Sequence, residues 1–183
     1  TTPATYPLPA HATLLTGTYP AVHRLLREDA APPDNVPLLA EALHRAGFAT
    51  GLFSGDGYVS DRWGLRRGFD AYRNLVREGL PSGSAEVWKA ARGFLEDQVR
   101  AGRRAFLYVA VADPHLPYNP PAEALARVYP HPYNGPLRPE RTLEQVGLVK
   151  RGRLKLGHED RAYLESLYDA EVLQMDTTLL KVQ

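Results

Sequence analysis

With 183 residues, 44% of them hydrophobic and 23% charged, the chain has the make-up of an ordinary globular domain that can bury a core. A net charge of +1 and a pI near 8.0 exclude the strongly basic balance of a nucleic-acid binder, so no nucleic-acid partner is expected. The lack of cysteine excludes disulfides, thiolate metal sites and cysteine nucleophiles, and no apolar run approaches the ~20 residues of a membrane span.

The opening Thr1-Thr2-Pro3-Ala4-Thr5-Tyr6-Pro7 reads as a loop from which a preceding strand is absent, without the charged start and apolar core of a signal peptide. Pro9 to Thr16 suits a helix with proline in its first turn and Gly17 just past its end. Asp34 or Asn35 is a candidate cap for the next helix, which would carry Leu39, Leu43 and Ala46 on one face and stop at Gly47. Ala49 to Phe53 reads as a strand, and a loop rich in glycine and aspartate follows it. From Ser84 to Ala101, Val87, Ala91, Phe94, Leu95 and Val99 recur at helical spacing, with Gly102 as the stop. Ala105 to Ala112 is apolar without polar alternation, the pattern of a strand buried on both faces of a parallel sheet. Strand, helix and strand make a βαβ unit, so the fold class is α/β.

Proline and tyrosine crowd the stretch from Pro114 to Pro139, which predicts an irregular excursion, because proline interrupts helices and central strands. Glu159 to Val182 returns to helix, with Leu164, Leu167, Tyr168, Val172, Met175 and Leu179 facing one way. No linker separates domains, and residues 1–183 are expected to form one.

The run Pro7-Leu8-Pro9-Ala10-His11-Ala12-Thr13-Leu14-Leu15-Thr16-Gly17 carries the first candidate chemistry. A loop entering a helix presents unpaired N–H groups and a positive dipole end, which suit a sulfate or phosphate. His115 carries the second, after a buried strand and at the carboxyl end of a parallel sheet, where open α/β folds place their ligands. An imidazole is a side chain suited to pass a proton or to hold an anion.

The first run resembles the sulfatase signature, and is closer still to a bacterial branch of sulfatase-like proteins with Thr-Leu-Pro-Ser/Ala-His in that place. Pro9, Ala10, His11, Leu14, Leu15, Thr16 and Gly17 match, and Tyr19-Pro20 with His23 continue the pattern. Further matches follow in order: Val36 to Gly47, Gly64 to Asp70, Phe106 to Pro121 with Asp113-Pro114-His115-Leu116-Pro117-Tyr118, and Tyr168 to Val172 with Asp176. The resemblance implies the central portion of a three-layer α/β/α sandwich of alkaline phosphatase/sulfatase type, incomplete at both ends.

It also implies metal-dependent hydrolysis of a sulfate ester of a small molecule or glycan. The alternatives within the superfamily are phosphoester hydrolysis or phospho-group transfer, and the rival from another class is a non-catalytic relative that binds an anion or a protein. His115, His11 and the hydroxyl of Thr5 become the catalytic candidates, with Asp113, Tyr118 and His23 on the substrate side. A divalent cation, Ca²⁺ first, is expected in the full-length protein, with its ligands outside this chain; bacterial relatives often work outside the cytoplasm, in the periplasm. The departures are specific. Pro7 stands where the family has its nucleophile; Thr5 or Thr13 could supply a hydroxyl, but each is displaced from that position. Ser54-Gly55-Asp56-Gly57 replaces the family's Gly-Lys-Trp-His stretch, and Asp56 and Asp61 read as loop and turn residues.

Overall fold

The structure, a computed structural model, describes residues 2–30, 32–33 and 35–181. The chain divides into two compact units, Thr1–Val111 and Ala112–Gln183.

The first unit is built on a three-stranded parallel sheet. β1 (Ala49–Ser54) lies in the middle, between β2 (Ala71–Asn74) and β3 (Ala105–Ala110). In β1 and β3, alternate side chains point to opposite faces, and two separate cores result. Leu52, Tyr72, Phe106, Tyr108 and Ala110 pack with Leu8, Ala12 and Leu15 of α1 (Pro7–Thr16) and Ala40 of α3 (Leu39–Arg45). Phe53, Leu107 and Val109 pack on the other side with Val87, Ala91 and Phe94 of α4 (Ser84–Arg100). Helices on one face, the sheet, and a helix on the other are the three layers expected. Gly51 lets α4 approach closely, since a Cβ there would stand 2.8 Å from the Phe94 ring.

The expected βαβ unit is present, with β1 and β3 parallel and adjacent and α4 packed on both. The sequence pattern misses β2. Ala-Tyr-Arg-Asn is short and mostly polar, and the residues before it are fastened by specific bonds: Thr50 Oγ1 donates to the Gly68 carbonyl (2.7 Å), and Asp70 Oδ2 accepts from the Thr50 amide (2.9 Å).

Helix boundaries follow local chemistry. α1 starts at Pro7, two residues earlier than the sequence pattern predicts, and ends at Gly17, whose φ of 67° is the left-handed conformation that glycine adopts freely. α2 (Pro20–His23) is a single turn. α3 begins at Leu39, where Glu41 caps it by accepting from the Leu38 amide (2.8 Å); Asn35 lies ahead of it, and Asp34 falls outside the described residues. Its inward residue is Ala40, whereas Leu39 and Ala46 are exposed. In α4 the inward stripe holds at Val87 and Ala91, but Val99 is 70% exposed.

The second unit is helical: α5 (Ala122–Val128), α6 (Thr142–Lys150) and α7 (His158–Leu180). The stretch from Pro114 to Pro139 is therefore not irregular throughout. Pro121 precedes the first turn of α5 and Pro130 follows it, so both prolines sit where a helix tolerates them. The core is aromatic. Leu137, Tyr163 and Leu167 are buried among Tyr118, Tyr129 and Tyr133, with Tyr133 stacked on Tyr163 at 3.8 Å between ring centroids. Tyr133 donates to Asp160 Oδ1 (2.6 Å), while Asp160 Oδ2 accepts from the Gly157 amide (2.8 Å) at the start of α7.

Candidate functional site

In the first unit, α1 and the two central strands bring three polar side chains together. His11 lies in the second turn of α1, Tyr108 on β3, and Asp56 two residues beyond β1. His11 Nδ1 and the Tyr108 hydroxyl are 2.6 Å apart, with the rings edge to face. His11 Nε2 stands 3.9 Å from Asp56 Oδ2.

Asp56 is held from several sides. Its amide donates to Ser54 Oγ (2.9 Å), its carbonyl accepts from Ser54 Oγ and from Asn74 Nδ2 (2.9 Å each), and its Oδ1 accepts from the Tyr58 amide (2.7 Å). One carboxylate oxygen closes the turn and the other faces His11. Burial pushes the His11 pKa below its ordinary value, and the Asp56 charge opposes that shift. Burial, aided by the same charge, pushes Tyr108 up to about 12. Burial therefore favours a neutral imidazole and an un-ionised phenol beside the Asp56 side chain.

The helix terminus itself is a poor cradle. Of the four amides that a helix start leaves unpaired, Tyr6, Pro7, Leu8 and Pro9, two have no hydrogen. The dipole remains, but half the donors are gone.

The other sequence candidates are placed as follows. Thr5 is exposed, ahead of α1. Thr13 and His23 meet at 3.1 Å. His23 is buried, and its Nδ1 accepts from the Leu25 amide (3.0 Å), so in the neutral ring Nε2 carries the hydrogen and donates to Thr13. The Thr13 hydroxyl donates to the Pro9 carbonyl (3.0 Å). His23 thus has no lone pair to offer Thr13, and this pair is not a base and a nucleophile. His115, Asp113 and Tyr118 belong to the second unit. His115 is exposed, and its Nδ1, 2.8 Å from the Leu116 carbonyl, must be the donor, which leaves Nε2 as an acceptor in the neutral ring. Asp113 lies close enough to Glu171 for its charge to help raise the Glu171 pKa, although burial of Glu171 is the larger cause. The Tyr118 amide donates to Thr142 Oγ1 (2.6 Å), and its ring meets Tyr168 edge to face.

Two members of the His11 cluster were not singled out as site residues from the sequence. Tyr108 is the one polar tip in the apolar run Ala105–Ala112, and Asp56 follows a buried parallel strand, so both carried a signal. Among the described residues no group of three or more His, Asp or Glu side chains is placed to hold a metal ion.

No protein-family model matches the chain, and no curated protein matches it in sequence. Solved structures do match. The phosphonate monoester hydrolase of Agrobacterium radiobacter superposes with a TM-score of 0.67 at 19% identity, over 99% of this chain and 50% of that one. The fold is of the alkaline phosphatase/sulfatase type. The phosphonate monoester hydrolase SpPMH from Silicibacter pomeroyi gives a TM-score of 0.59 at 21% identity, over 99% and 50% of the two chains. Ps i-CgsB in complex with k-i-k-neocarrahexaose gives 0.53 at 16%, over 99% and 46%. The chain spans about half the length of these structures.

Proposed function

We propose that this chain contributes to a hydrolase of sulfate esters, with His11 as the contact to an oxyanion in the first unit; His115 is proposed, separately, as a catalytic residue of the second unit. The observation that carries this reading is the His11 cluster at the carboxyl end of a parallel sheet, where such folds place ligands. An imidazole held by a hydroxyl on one nitrogen has its other nitrogen left to meet a ligand. Asp56 opposes a second anion, so binding should tighten when His11 gains a proton. Asp113 and Tyr118 are the proposed substrate-side residues, and small-molecule or glycan sulfates are the proposed substrates; His23, expected beside them, is instead buried with both ring nitrogens engaged and serves the packing of the first unit.

Hydrolysis of phosphonate or phosphate esters is the second reading. It is favoured by the two phosphonate monoester hydrolases, whose TM-scores exceed that of Ps i-CgsB. A divalent cation does not fit the residues described, which offer it no cluster of three ligands, and no step is assigned to one.

Pro7 sets the expected activity. It has no hydroxyl at the position that the resemblance gives to the nucleophile, and losing a nucleophile removes several powers of ten in rate. The chain as it stands should therefore turn over neither aryl sulfate nor aryl phosphate, with or without Ca²⁺ or Mn²⁺, and Pro7→Thr alone should not restore turnover. Oxyanion binding should persist. Titration of sulfate, phosphate and methylphosphonate, followed by the NMR signals of His11 at pH 5.5 and 7.5, should show saturable shifts that are tighter at the lower pH. His11→Ala should abolish binding. If none of the three anions perturbs His11, the reading fails. Metal-dependent turnover lost in Thr5→Ala would instead make Thr5 the nucleophile.

A further inference from the structure

We propose that Tyr108 and Asp56 are positioning residues that fix His11 as its Nε2–H tautomer, leaving that N–H as the donor offered to an oxyanion. The role of the N–H rests on reading His11 as the oxyanion contact; the tautomer itself rests on hydrogen-bond chemistry alone.

A neutral imidazole carries one hydrogen, on Nδ1 or on Nε2. The group facing Nε2 is a carboxylate oxygen at 3.9 Å, which can only accept. It cannot turn away to change that, because Oδ1 is occupied by the Tyr58 amide and the backbone of Asp56 is tied to Ser54 and Asn74. With the hydrogen on Nδ1, a lone pair on Nε2 would face this carboxylate at close range. With it on Nε2, the N–H points its positive end at the negative charge, and Nδ1 is free to accept. At 2.6 Å from Nδ1 stands a hydroxyl that can donate. Burial in the core shared by α1 and the sheet keeps the Tyr108 phenol protonated, so the donor is always present. The two neighbours therefore agree on one tautomer. The arrangement also takes away the role of base: Nδ1 is already occupied and Nε2 has no lone pair.

The wild-type chain supplies the first test without any substitution. Long-range proton–nitrogen correlation of the ¹⁵N-labelled histidine rings at pH 7.5 should show His11 protonated at Nε2 and bare at Nδ1. Finding the hydrogen on Nδ1 would overturn the proposal. Tyr108→Phe keeps the ring that packs beside His11 and removes one oxygen. It should convert the single tautomer into a mixture and weaken sulfate binding by roughly threefold to tenfold, the loss expected for one hydrogen bond. Asp56→Asn, whose amide can donate as well as accept, should also mix the tautomers, while sulfate binds more tightly because a negative charge is gone. An unchanged tautomer in both variants would show that neither neighbour sets it. The two readings fail separately. A wild-type His11 with the assigned tautomer but no response to sulfate, phosphate or methylphosphonate would refute the oxyanion role and leave the positioning intact; anion binding to the opposite tautomer would do the reverse.

Discussion

The two units solve the same problem, burying polar groups, in opposite ways. The sheet unit takes histidines into its interior and keeps them neutral. His23 is fully buried with both ring nitrogens engaged, and His11 is held between a phenol and a carboxylate, with burial lowering the pKa of each ring. The helical unit takes in tyrosines and a glutamate. Its rings stack on one another, the Tyr133 hydroxyl finds Asp160, and Glu171 keeps one oxygen on the Asn119 amide while burial raises its pKa. The difference teaches that burial shifts each of these groups toward its neutral form, downward for His11 and His23 and upward for Glu171, with the Asp56 charge opposing the shift at His11.

The largest expected effect separates backbone from side-chain constraint. Gly68, at a φ of 80°, lies where a Cβ would run into the backbone of Glu41 and Ala40. Gly68→Ala should destabilise the sheet unit by roughly 3–5 kcal/mol, because neither the φ nor the neighbouring chain can give way cheaply. Chemical denaturation followed by tryptophan emission measures this, as Trp63 and Trp88 both lie in that unit. A loss under ~1 kcal/mol would show that α3 yields.

Next is Leu167→Ala in the helical unit, a fully buried side chain in the aromatic core. It should cost about 2–5 kcal/mol, according to how far the cavity collapses. Far-UV circular dichroism should show early loss of helix while the tryptophan transition stays in place. Coincident transitions would show that the two units unfold as one.

The smallest effect tests the contrast in charge. A histidine whose folded pKa lies below 6.5 is protonated more readily in the unfolded chain, so stability from His11 and His23 is complete above pH 6.5 and declines as pH falls towards the lowered values. Glu171 has the opposite sign. Its folded pKa lies above 4.5, so its contribution falls as pH rises from 4.5 through the raised value. Melting temperatures between pH 4.5 and 8 should therefore have an acid-side slope by tryptophan emission that flattens in His23→Gln. The helical signal should lose its opposite slope in Glu171→Gln. Equal slopes in both signals would dissolve the contrast.

Much of this was written in local chemistry. Ala49 to Phe53 and Ala105 to Ala112 are legible as strands because short apolar runs bounded by turn residues have few other uses, although the second strand ends at Ala110, and Gly17 and Gly102 mark helix ends because φ there is positive. The sequence alone determined the α/β class, the order of the main elements, and His11 and His115 as residues worth following. Only tertiary structure decided the rest. β2 forms from a polar tetrapeptide because a parallel edge and the Thr50–Asp70 bonds hold it, and α5 stands in a proline-rich stretch because its prolines fall at the ends. The partners of His11 come from positions 56 and 108, far from it in the chain; parallel strands whose carboxyl ends lie side by side bring such residues together, and no local pattern encodes that pairing.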